Sequence, residues 1–289
     1  MTSNLKFIIS VFLSAVLGLV WYPLLQLKSM QIESSQLLFF AFLAASLLTV
    51  TFMARQVEKW RNNTLELLIF ALTGGVSNGL LHYSLLFGNP IVVLSLFCIS
   101  MVASLFLTRL SKGHNLDTGE FATILCLLLM AFSILMAVDS PLTFHWSQIL
   151  AMLAGAGFYR LFMLNEQSVC QIPILSKLAA MFIASTWLVG IVLIFSPRSA
   201  SFSQENASFY SVLYGAMILT PVVASVIYIL AKNSLTTLLL WTTALLGVNL
   251  IGLLLHQGVG SLSGLLWPCL LLVLACIIQL MRYQTSSST

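Results

Sequence analysis

Asn78–Leu94 reads NGLLHYSLLFGNPIVVL. This is the end of one membrane helix, a tight turn and the start of the next. Asn89 is placed to accept a hydrogen bond from an orphan N–H, and Pro90 suits a first helical position because it has no donor to leave unpaired. Just before the turn, Asn78, His82 and Tyr83 put polar groups at membrane depth. A weaker copy follows at Tyr228–Leu238, YILAKNSLTTL, where Tyr228 answers Tyr83, Asn233 answers Asn89 and Leu238 answers Leu94. The last two pairs are both 144 residues apart (233 − 89 and 238 − 94), about half the chain.

Composition sets the solvent. Of 289 residues 60% are hydrophobic and 7% charged, against roughly 25% charged in a soluble domain. This points to an all-α integral membrane protein with little mass outside the bilayer. The net charge of +4 is small and scattered, which gives no case for nucleic acid. Cysteines 98, 126, 170, 269 and 276 form no CxxC pair and no Cys/His cluster, so neither a metal nor another cofactor is expected. The first apolar stretch is long for a signal-peptide core. Its end, WYPLLQLKS, has no A-x-A-like cleavage site, so it reads as a retained helix.

Ten spans emerge, at about 7–27, 36–53, 65–86, 90–108, 119–138, 146–164, 174–195, 209–231, 234–255 and 262–281. Each is near the ~20 apolar residues that a bilayer core requires. With the N-terminus inside, ten of the twelve basic residues fall on the inner side: Lys6, Arg55, Lys59, Arg61, Arg109, Lys112, Arg160, Lys177, Lys232 and Arg282. Lys28 and Arg198 fall outside. This positive-inside imbalance predicts both termini in the cytoplasm.

Ten spans in two halves means five each, 1–140 and 141–289, within one membrane domain. An odd number forces the second half to enter the membrane inverted. GLVWY at Gly18 and GAGFY at Gly155 repeat with offset 137, and CLLL at Cys126 and at Cys269 with offset 143. These bracket the hairpin echo in order. Inverted repeats are a hallmark of secondary transporters, whose substrate site lies near the midplane between the repeats.

In its five-plus-five pattern, with Trp21 near the end of span 1, Tyr83–Leu85 before the third turn and Arg109–Gly113 closing span 4, the chain resembles the drug/metabolite transporter superfamily, EamA type. The resemblance covers nearly the whole chain. It departs in having no proline within span 4 after Pro90, and Gly113-His114 where the family often has Gly-Glu. The resemblance implies a central cavity lined by spans 1, 3, 4, 6, 8 and 9. It also implies a small metabolite substrate, such as an amino acid or related amphipathic compound.

The expected substrate-binding residues are Trp21, Tyr22, Asn78, His82, Tyr159, Arg160, Tyr214, Trp241 and Asn249, with Pro221 as a gating hinge. Each has a plainer alternative. Asn78 and His82 share one face of span 3, as Thr242 and Asn249 share one of span 9, yet such groups also serve as interhelical hydrogen bonds worth ~1 kcal/mol. Trp21 and Tyr22 also suit an interfacial aromatic belt. Arg160 is within snorkelling reach of the inner surface, or holds an anion. Pro221 bends a helix for gating or only for packing. Trp187 and Tyr210 are further aromatic candidates.

No carboxylate pair, metal cluster or nucleophile–base set lies within the spans, so no enzyme is expected. The stretch HQGVGSLSG at 256–264 does not match G-x-S-x-G, because Leu262 is its middle residue. None of the eight acidic residues lies deep in a span. That favours facilitated diffusion or exchange over proton coupling, with His82 as the competing proton carrier. The expected partners are the lipid bilayer of the cell inner membrane and a small-molecule substrate, the chain being a monomer or homodimer. A non-transporting accessory or scaffold subunit is the alternative.

Overall fold

The structure, a computed structural model, describes residues 23–24, 27, 33–53, 63–111, 116–138, 145–167, 172–195, 205–230, 235–257 and 262–286. Nine long helices account for them, and there is no strand among the described residues. They are α1 (Ser34–Met53), α2 (Thr64–Phe87), α3 (Pro90–Ser111), α4 (Thr118–Ala137), α5 (Trp146–Gln167) and α6 (Ile174–Phe195). Then come α7, from Glu205–Tyr214 through Thr220–Leu230, α8 (Leu235–Gln257) and α9 (Leu262–Ser286). They correspond to spans 2–10. Span 1 lies outside the described residues except for Pro23, Leu24 and Leu27.

Seven of these helices are long and apolar enough to cross a bilayer, which makes this a multi-pass membrane protein. The pattern of exposure agrees. On α4 the outward stripe is Phe121, Leu125, Leu129, Phe132 and Met136, while Thr123, Ile124, Leu127, Met130 and Ile134 are buried. A helix apolar on both faces suits lipid on one side and protein on the other.

The turn Gly88–Asn89 ends α2. Asn89 Oδ1 accepts the Ile91 N–H at 3.0 Å, so the expected cap is in place one residue inside Pro90. At the head of α4, Glu120 accepts the Asp117 N–H at 3.3 Å. Two helices depart from α geometry. Ala71–Gly75 in α2 and Gly215–Leu219 in α7 are π segments, 144 residues apart (215 − 71). In α7 the cause is visible in sequence: Pro221 has no N–H to give the carbonyl four residues back, Met217. Thr220 Oγ1 bonds the Gly215 carbonyl at 2.8 Å.

The chain divides into two compact units, 19–87 with 160–233, and 1–18 with 88–159 and 234–289. Each takes helices from both halves of the sequence. In the first unit α1 packs along α6 and against α7. Phe39, near the start of α1, meets Gly190, near the end of α6, so these two run antiparallel. Helix α2 runs parallel to α6, with Gly74 and Gly75 on Met181 and Gly79 on Leu188. A Cβ on Gly75 would meet the Met181 carbonyl, and one on Gly215 would meet the Ala41 carbonyl. The two glycines and the two carbonyls are each 140 residues apart (215 − 75 and 181 − 41).

In the second unit α4 packs along α9, and α3 against α4 and α8. Arg282, late in α9, pairs with Glu120 at 2.9 Å and Asp117 at 3.5 Å at the start of α4, so these helices are also antiparallel. The arginine stem lies over Gly119. Helices α3 and α8 cross the same way: Asn249 meets Ile91 and Ser95, and Trp241 meets Phe97. The first part of α5 sits on α3, where Gly155 faces the Phe97 carbonyl and Ser100 Oγ donates to the Met152 carbonyl at 2.6 Å.

Candidate functional site

In the unit of α1, α2, α6 and α7, Asn78 and His82 are both buried on one face of α2. His82 Nδ1 lies 2.8 Å from the Asn78 carbonyl, one turn back, and its ring stands edge-on to Phe42 with centroids 5.4 Å apart. Asn78 Nδ2 donates to Ser185 Oγ on α6 at 3.3 Å. Ser185 in turn donates to main-chain carbonyls, that of Gly75 at 2.8 Å and its own helix's Met181 at 3.0 Å. The π segment, the asparagine and α6 are thus tied at one buried hydroxyl. Tyr214 is buried where α7 enters its π segment. Arg160 points outward, and so does the ring of Pro221. Trp187 and Tyr210 are 71% and 45% exposed, so both face away from this core.

In the unit of α3, α4, α8 and α9, Asn249 is completely buried. Its Nδ2 donates to the Ile91 carbonyl at 2.9 Å and to Ser95 Oγ at 2.8 Å. Two turns back along α8, Trp241 packs with Phe97 and Phe158, with centroids 6.1 and 6.2 Å away, and those two phenyl rings are 5.4 Å apart. Tyr159 is buried beside Phe158. Thr242 bonds only back to its own helix, at the Leu238 carbonyl. Gln279 on α9 donates to Thr243 Oγ1 at 2.8 Å.

Buried polar atoms are normally paired. Among the described residues His82 Nε2, Trp241 Nε1, Asn249 Oδ1 and Gln279 Oε1 have no hydrogen-bond partner, so each has a bond left to make. Three of the four belong to residues expected from sequence. Ser185 and Gln279 were not foreseen. The only sequence signal for either is a polar residue in an otherwise apolar span, which points to an interhelical bond without naming its partner. Trp21 and Tyr22 lie outside the described residues. No group of three His, Cys, Asp or Glu side chains capable of holding a metal occurs among the described residues.

No family model matches the chain, and no curated protein does. A solved structure described only as "Crystal structure of protein" is similar to it in fold. The TM-score is 0.69 at 14% sequence identity, over 96% of this chain and 98% of the other.

Proposed function

We propose that this protein is a secondary transporter that moves a small organic metabolite, an amino acid or related amphipathic compound, by alternating access. In this reading it is a ten-helix member of the drug/metabolite transporter superfamily, EamA type. It lies in the cell inner membrane with both termini cytoplasmic and works by facilitated diffusion or exchange. The observation that carries the reading is the pairing of helices five spans apart. Within their own units α1 and α6, α3 and α8, and α4 and α9 all pack antiparallel, as inverted repeats require. The reciprocal fit of Gly75 on Met181 and Gly215 on Ala41, at one common separation, supports the same duplication. Inverted repeats place substrate sites among buried polar groups at membrane depth, and His82, Trp241 and Asn249 carry such groups.

The test is uptake into liposomes. Purified protein is reconstituted with counter-substrate inside, and radiolabelled amino acids, amines and nucleosides are offered outside without a pH gradient. Saturable counterflow of at least one solute is expected. An imposed proton gradient should not concentrate it. Uptake no faster than into protein-free liposomes across the whole panel would overturn the reading.

A second reading, a non-transporting scaffold subunit, is favoured by one observation: Asn249 spends both amide hydrogens, and Asn78 one of its two, on a neighbouring helix. The same liposomes separate the two, because a scaffold gives no flux.

A further inference from the structure

The hydrogen-bond roles around His82 are fixed by main-chain carbonyls, which can only accept. His82 Nδ1 faces the Asn78 carbonyl, so it must carry the proton. In the neutral ring the other nitrogen then holds a lone pair. That nitrogen, Nε2, is buried and has no hydrogen-bond partner among the described residues. Ser185 gives its hydroxyl hydrogen to the Gly75 and Met181 carbonyls, so its oxygen is left to accept. Asn78 must therefore offer it an amide N–H, which leaves its carbonyl oxygen and one further N–H to present. On the face of α2 that carries Asn78 and His82, the histidine's N–H and one amide N–H of Asn78 are committed to protein, while the His82 Nε2 lone pair and the Asn78 carbonyl oxygen are left to accept.

The other orphan polar atoms of this unit do not alter that balance. Gln36 Nε2 and Ser176 Oγ lie in the first turns of α1 and α6, at helix ends and away from the middle of the bundle. The same logic applies separately to Asn249, whose Nδ2 faces the Ile91 carbonyl and whose Oδ1 is the unpartnered atom. In that unit Trp241 Nε1 adds one unpartnered donor, so its character is mixed.

We infer that the Asn78–His82 face of α2 binds a hydrogen-bond donor, a primary ammonium group or an equivalent N–H, with His82 Nε2 as the accepting atom. The ring is buried and stands edge-on to Phe42, and away from water a hydrogen bond to a charged donor is stronger. A carboxylate or phosphate placed against Nε2 would meet a lone pair. The inference rests on the transport reading for its purpose, but binding and flux fail separately.

The experiment uses three probes of one shape: phenethylammonium, its N,N,N-trimethyl derivative and 3-phenylpropionate. Binding to the purified full-length protein in lipid nanodiscs is measured by calorimetry. The ammonium should bind about tenfold or more tightly than the trimethyl compound, which keeps the charge but has no N–H. The phenylpropionate should not bind. His82→Leu should abolish the preference for N–H, and His82→Gln, which keeps an acceptor, should retain part of it. The 15N resonance of His82 Nε2 in the wild-type protein should move on addition of the ammonium alone. Equal binding of the two cations, a preference for the carboxylate, no binding by any probe, or an unmoved Nε2 resonance would each overturn the inference. The wild-type comparisons hold even if His82→Leu fails to fold. Donor-selective binding without liposome flux would sink the transport reading alone, whereas flux without donor selectivity would sink this inference alone.

Discussion

Three glycine contacts, at Gly75, Gly215 and Gly247, make one substitution act with opposite signs in one protein. In a helix interior, Gly→Ala is worth up to ~1 kcal/mol of stability through backbone entropy. At Gly247 nothing opposes that gain, since a new Cβ would sit 3.5 and 3.6 Å from the two Leu272 methyls, an ordinary contact. Gly247→Ala should therefore stabilise by about 0.5–1 kcal/mol. At Gly215 the new carbon would meet the carbonyl, C and Cα of Ala41, which no rotamer change can move. Overpacking against a well-filled core costs typically 1–3 kcal/mol, and main-chain contact argues for the upper half of that range. Set against the propensity gain, Gly215→Ala should lose about 1–2 kcal/mol. Gly75→Ala, against the Met181 carbonyl, should behave like it. Purified variants in mild detergent, unfolded by heat and followed by circular dichroism and monodisperse recovery, give the order. The expected ranking is Gly247→Ala above wild type, and wild type above Gly75→Ala and Gly215→Ala. If Gly215→Ala matches wild type, or Gly247→Ala falls as far as Gly215→Ala, the close approach of α7 to α1 is not as described.

Ser185→Ala removes one hydroxyl that serves both the Gly75 carbonyl and the Asn78 amide; it should lower stability by about 1–2 kcal/mol in the same thermal assay, with Ser185→Thr recovering part. Asn249→Leu breaks two bonds to α3 and should lose about 1 kcal/mol while the protein still reaches the membrane, as read by expression and gel filtration. Arg282→Gln should loosen the start of α4 against the end of α9, seen as faster amide exchange near Glu120; the pair is partly exposed, so a loss of only about 1 kcal/mol is expected. Reporter fusions after Met53 and after Arg282 should both report the cytoplasmic side, and an outside signal at either would break the ten-span topology.

Spans 2–10 were legible because apolar runs ended at strong local signals. Asn89-Pro90 marked the α2–α3 turn. Asn78, His82 and Asn249 were legible as polar groups at depth. Orientation around each helix was not. Lipid and protein interior are both apolar, so an apolar span carries no contrast between its faces, and Trp187 and Pro221 turned outward without a warning signal, whereas for Arg160 the snorkelling alternative pointed outward. The π segments were hidden for another reason. That in α2 lies where Gly74 and Gly75 meet Met181, a tertiary contact between residues more than a hundred positions apart. The proline behind the α7 segment was visible, but its effect was read as a bend or a hinge.

A π turn is, in effect, one residue inserted into an α-helix. The Ala71–Gly75 segment therefore sets the angular phase between the two ends of α2: every side chain after it is rotated relative to Thr64–Phe70. Asn78 and His82 face α6 and Phe42 because of that offset. Leu72 is exposed within the segment, so deleting it would remove a side chain of little packing value while restoring the ordinary ladder. Because the π turn takes up the extra residue, the deletion should leave Asn78 and His82 on the face they hold now, whereas closing the ordinary ladder at full length would swing them by about 100° around the helix axis. At this position the π turn, rather than any residue on the polar face, decides where that face points.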